Sequence, residues 1–179
     1  MEYFDLIQQR QSCRNFDPDR PVENKKILRC LEAARLAPSA CNSQPWFFHV
    51  FTNPTVLEEL CKSIQCHGSN AFASQCRALV VVAEQKAKLK PAVEAALGSQ
   101  HFAEIDIGLA VAQFCLAATE QGLSTCILGW MDEEEMGRRL RLAAGSRVRL
   151  AIGIGYAAEE TIRPKKRKRL EEMACIYDA

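Results

Sequence analysis

At 179 residues, with 48% hydrophobic and 25% charged residues, the chain has the size and make-up of one globular domain able to bury a core. A formal net charge of +1 offers no global field for nucleic acid or an anionic membrane, and no apolar run reaches transmembrane length. Nine cysteines, an odd number with no secretory signal before them, point to free thiols in a reducing cytoplasm rather than a disulfide framework.

Residues 2–11 read as a first helix, with Phe4, Ile7 and Gln8 at helical spacing. Ser12 to Pro21 breaks it, punctuated by Pro18 and Pro21. Residues 23–37 form a second helix that Pro38 ends, and Phe47–Thr52 is a strand of β-formers. Residues 54–65 are a third helix, with Pro54 in its first turn. Ala78–Ala83 is a short continuous apolar run, as expected of a strand buried on both faces. Lysines and alanines over 84–100 favour helix, but Pro91 interrupts them. His101–Gln121 is the longest helical signal, apolar nearly all round, and Gly122 is its natural stop. Ser124–Trp130 reads as a strand or extended segment. Asp132 followed by Glu135 resembles a capping box opening a short helix to Leu140, and Arg149–Tyr156 is a further strand. From Glu160 onward there is little core signal. Helices alternating with short buried strands give an α+β or α/β layered fold in a single domain, residues 1–179.

Three segments could carry chemistry. In the first, Arg10, Ser12 and Arg14 stand two residues apart, so an extended turn points them the same way. Two guanidiniums and a hydroxyl suit a phosphate or a delocalised anion, although a solvated surface loop would read the same. The second, Pro38 to Trp46, sets hydroxyls and amides between two prolines, and is otherwise a polar helix-to-strand connection. The third, Arg163-Pro164-Lys165-Lys166-Arg167-Lys168-Arg169, taken alone is also the pattern of a nucleic-acid patch, which the balanced composition argues against. Cys61, Cys66 and His67 do not have a standard zinc spacing, so no metal is expected. The buried-thiol reading of the cysteines is the simpler one. His49, His67 and His101 have no carboxylate partner by spacing. There is no P-loop and no dinucleotide glycine fingerprint.

As a set, these segments resemble the nitroreductase family of FMN enzymes, from about Tyr3 to Ile176. The resemblance implies an α+β fold, with a central mixed sheet surrounded by helices and a C-terminal extension onto the partner of a homodimer. It implies FMN as cofactor, NAD(P)H as donor, and a small-molecule acceptor such as a nitroaromatic or quinone in a ping-pong scheme. Specialised branches (dehalogenation, enone reduction, flavin fragmentation) and a flavin-binding redox sensor are the alternatives. By resemblance, Arg10 binds the FMN phosphate, Ser12 the phosphate or ribityl chain, and Arg14 the N1/O2 edge, with Gln11 in the same set. Pro38, Ser39 and Asn42 reach the flavin of the other subunit. Asn70 meets the pyrimidine edge, Leu128 and Gly129 bring backbone amides beside N5, and Lys165 and Arg167 complete the phosphate site. Relatives often carry glycine where this chain has Trp130, so the indole either shapes the substrate pocket or packs against the dimer. Some relatives have a lysine where Ala73 stands. The lid of larger members is reduced here to 84–100. Chemistry at the flavin needs no catalytic side chain, and none is assigned.

Overall fold

The strand β2 (Ala78–Glu84) is buried at all seven positions, and the rest of the molecule is laid on either side of it. The computed structural model describes residues 1–66 and 68–177. Four strands lie in the order β1 (Trp46–Phe51), β2, β4 (Arg147–Gly155), β3 (Ser124–Leu128). All three ladders are antiparallel. The mixed character expected of the sheet is confined to one parallel bridge, Ser12 to Thr125, beside β3.

Alternation along β2 divides the core in two. Ala78, Val80 and Val82 pack with α2 (Asn24–Arg35) and α5 (Ala103–Glu120) on one face. Leu79 and Val81 pack with α3 (Pro54–Ile64), α6 (Glu133–Leu140) and the turn Ala71–Gln75 on the other. The chain opens with α1 (Tyr3–Gln9), which lies against α5.

Local signals set several element ends. The Asn53 side chain accepts the amides of Thr55 and Val56 at 3.0 and 3.3 Å and starts α3. Asp132 Oδ1 accepts Glu135 N at 2.8 Å and starts α6. The reciprocal half of that box is missing: Asp132 N donates to Ser63 O instead. Gly122, at φ +74°, ends α5. Pro91 does not interrupt a helix; it opens α4 (Pro91–Leu97), where its missing N–H is no loss. The third strand stops at Leu128, so Gly129 and Trp130 leave the sheet. Among the described residues no helix is long and apolar enough to cross a membrane.

Phe16 packs tightly onto Gly155. A Cβ on Gly155 would lie 2.8 Å from the Phe16 ring, so the bare glycine lets Phe16 seat, 1% exposed, against the end of β4. Phe16 N donates to Gln75 Oε1 at 3.0 Å, and its ring stacks on Phe72 at 6.5 Å.

Candidate flavin site

Segment 10–17 leaves α1 and runs across the ends of β3 and β4. Cys13 N donates to Thr125 O and Asp17 N to Tyr156 O, each at 2.9 Å. Onto this segment folds the distant basic run. Lys165 Nζ donates to the Arg10 carbonyl at 2.6 Å. The Arg163 guanidinium donates to the Ser12 carbonyl and to Gln11 Oε1. Gln11 Nε2 in turn donates to Thr161 O at 2.8 Å. A cavity of about 260 Å³ opens here, lined by Gln11, Ser12, Arg14, Asn15, Thr161 and Arg163, with Glu159 on its wall.

The electrostatics are one-sided. None of Arg10, Arg14, Arg163, Lys165 or Arg167 takes part in the ion pairs found among the described residues. Desolvation, and then the like charges of Arg10, Arg167 and Arg163, push the Lys165 amine below its ordinary pKa. Such a group suits an anion, and a flavin phosphate fits this donor set.

Asn70 sits at φ +56°, and its Nδ2 donates to the Trp130 carbonyl at 3.0 Å and to Ile64 O at 3.4 Å. That bond ties Asn70 to the loop after Leu128, which is itself 3% exposed. Gln75 and Phe72, just beyond Asn70, hold Phe16, so Asn70, Leu128 and Gly129 border the same core as the Ser12 segment. Trp130 is 65% exposed on this rim.

The turn with Pro38, Ser39 and Asn42 lies elsewhere in the chain. Pro45 O accepts Gln85 N, past the far end of β2, whereas Ser12 aligns through Thr125 and Ile154 with Ala78 at its start. Seven strand residues span about 20 Å, so one subunit does not bring this turn to the cation group. Arg167 donates to the carbonyl of Lys166 at 2.7 Å and otherwise stands exposed in the tail. The motif spacings give Arg163 no role. It shares the alternate-residue phase of Lys165 and Arg167, which is the one signal in the sequence that could mark it. Among the described residues no group of three or more His, Cys, Asp or Glu is placed to hold a metal; His67 lies outside them.

A model of the nitroreductase family matches residues 7–67 and 56–156. An oxygen-insensitive NADPH nitroreductase of Helicobacter pylori is 23% identical over 203 residues, covering 96% of this chain and 95% of that one. An iodotyrosine dehalogenase 1 homolog of Caenorhabditis elegans is 25% identical, covering 98% of this chain and 61% of that one. A nitroreductase family protein of Streptococcus pneumoniae superposes with a TM-score of 0.85 at 23% identity, over 98% of this chain and 100% of that one.

Proposed function

The chain belongs to the nitroreductase family, and from that membership we propose that it is a homodimeric, FMN-dependent oxidoreductase that passes electrons from NAD(P)H to nitroaromatic, quinone or similar acceptors. The observation that carries this reading is the meeting of Lys165 with the Arg10 carbonyl, across 155 positions, in a cluster of cations that join none of the ion pairs among the described residues. When bound, FMN supplies the two-electron chemistry.

The protein's part is to hold and bias the cofactor. Arg10, Ser12, Lys165, Arg167 and, added by the geometry, Arg163 hold the phosphate. Arg14 places positive charge near the pyrimidine edge, where negative charge develops on reduction. Asn70 reads that edge, and Gln11 orders the tail by its bonds to Thr161 and Arg163. Leu128 and Gly129 bring backbone amides towards N5, and Trp130 limits what stacks on the ring. Pro38, Ser39 and Asn42 serve the partner's flavin, which accounts for their separation from the cation group within one chain. The whole chain acts as one FMN-binding domain in the cytoplasm.

Purified protein is expected to be yellow, to bind about one FMN per chain, and to oxidise NAD(P)H when given nitrofurazone or menadione. Lys165→Met should weaken FMN binding by roughly 1.5–3 kcal/mol, the scale of a charge-assisted hydrogen bond. Because the free-protein Lys165 pKa is lowered and a bound phosphate favours the charged amine, binding takes up a proton at pH values above the lowered free-protein pKa. Wild-type affinity therefore falls as pH rises towards the ordinary lysine value of 10.5, and that part of the fall is absent in the variant. Wild-type protein that takes up no FMN on reconstitution would overturn the reading. Reductive dehalogenation is the second reading, favoured by the dehalogenase relative; NADPH-driven iodide release from iodotyrosine would select it.

A further inference from the structure

We propose that Asp106 is a positioning residue for the flavin, holding the Ser39–Gln44 turn in its working shape and tying it to the exposed face of α5. The inference rests on the proposed reading in one respect, that this turn serves the partner's cofactor.

The geometry is specific. Asp106 is 5% exposed, in the first turn of α5. Its two carboxylate oxygens lie 3.1 and 3.2 Å from a single donor, the amide of Ala40. No cation pairs with it in the ion pairs found among the described residues. Burying a carboxylate without a cation is costly, and an apolar side chain would fill the space without that cost. The bond it makes is therefore the feature to explain.

The turn needs holding. Cys41, Asn42 and Gln44 all have left-handed backbones, at φ 53°, 52° and 48°. Side chains with a Cβ disfavour that region, so three in four residues persist only if the surroundings fix them. Ser39 Oγ accepts Gln44 N at 2.9 Å and closes the turn on itself. Lys88 N donates to Ser43 Oγ at 2.8 Å from one side, and Asp106 grips Ala40 from the other. The neighbours of Asp106 on the helix, Ile105 and Leu109, are 62% and 43% exposed and apolar. One helical turn thus carries both a surface suited to a second copy of this chain and the anchor of the turn that would serve that copy's flavin.

Three substitutions test the bond from both ends. Asp106→Ala removes the acceptor, and Asp106→Asn keeps an acceptor oxygen without the charge. Ala40→Pro removes the donor at a site that tolerates proline, because Ser39 is extended at φ −149°, ψ 154° and Ala40 opens the 3-10 turn. FMN dissociation constants, dimer mass, melting temperature and amide exchange of residues 39–44 in FMN-free protein are measured for each. Asp106→Ala and Ala40→Pro are each expected to weaken FMN binding about tenfold, the equivalent of about 1.4 kcal/mol, in an intact dimer. Together they should be no worse than either alone, because they delete one interaction. Asp106→Asn should stay within about threefold of wild type, since it can still accept the bond. Exchange in 39–44 should quicken in Asp106→Ala. A lowered melting temperature with unchanged FMN affinity would make Asp106 purely structural and overturn the proposal. Additive losses, or Asp106→Asn as poor as Asp106→Ala, would overturn it as well. If Asp106→Ala does not fold, Ala40→Pro with unaltered FMN affinity decides against it alone. Wild-type protein that binds no FMN refutes the broader reading of the site, before any variant is made.

Discussion

Trp130 stands two residues beyond the end of β3, with its carbonyl held by Asn70 and 65% of its surface exposed. That exposure separates the two roles the sequence leaves open. Within its own subunit the indole does not fill a core, so Trp130→Gly leaves no buried void there and should cost far less than the roughly 3–5 kcal/mol of a core aromatic deletion. Acceptors must lie close to and aligned with the ring they react with. Trp130→Gly is therefore expected to speed reduction of bulky nitroaromatics more than that of small quinones, with FMN still bound. A large fall in melting temperature with an unchanged acceptor profile would instead place Trp130 in the subunit contact. The cysteines are sorted in the same way, by environment. Cys13, Cys30, Cys61, Cys76, Cys115 and Cys126 are buried, and burial pushes the Cys30 thiol up to about 12 and the Cys61 thiol to about 11. They are inert small hydrophobes, in keeping with their scatter along the chain.

Among elements, the segment from Ser12 to Phe16 carries Ser12 and Arg14 of the proposed site, and it is pinned by a contact with a strand about 140 residues away. Gly155→Ala would thrust a methyl to 2.8 Å from the fully buried Phe16 ring. Overpacking of this kind costs about 1–3 kcal/mol. We expect that loss in urea unfolding, together with weaker FMN binding, because a displaced Phe16 carries Arg14 with it. Phe16→Leu in the same chain should recover part of the stability. An unchanged unfolding midpoint for Gly155→Ala would show that the ring has room and that the segment is held otherwise. Such a long-range contact leaves no mark in the sequence, whereas other elements do. The run Leu79-Val80-Val81-Val82 and the periodicity of α3 report local physics, burial on both faces and an apolar stripe, so both are legible from the chain alone. Pro91 is ambiguous by the same local rules, because proline breaks a helix in its interior and begins one at its first turn. Here the segment beyond it returns to a clamp in which Gln100 accepts Ala87 N at 2.7 Å and donates to the buried Glu84, which pairs with Arg149. No local rule registers such contacts. Asp106 is silent in the sequence for the same reason, as one acidic residue in an apolar helix whose partner lies 66 positions earlier.

At the scale of the whole molecule, the residues assigned to one site by resemblance fall into two groups at opposite ends of the sheet. The resemblance expects Pro38, Ser39 and Asn42 at the partner's flavin and says nothing of Arg163, while the strand register keeps that turn apart from the cation group within one subunit. The proposed dimer would rejoin them through an apolar surface. Ile105, Gly108, Leu109 and Ala112 are all exposed on α5 at helical spacing, and Tyr3 and Phe4 of the adjacent α1 are exposed as well. In the tail, Leu170, Met173, Ile176 and Tyr177 are between 68% and 90% exposed. A solitary subunit rarely leaves so many large apolar side chains in water, and a two-fold dimer that buries the α5 face presents the same patch from both copies. Ile105→Glu combined with Leu109→Glu puts four carboxylates into that contact per dimer. The protein is expected to sediment at twice 20.0 kDa, and the double variant at 20.0 kDa. If Pro38, Ser39 and Asn42 act on the partner's flavin, the monomer must also lose FMN affinity, although both substitutions lie outside the cation group. A variant that stays dimeric would remove α5 from the interface. A folded monomer that binds FMN as tightly as wild type would place the whole site within one chain, against the 20 Å or so that β2 sets between its two groups.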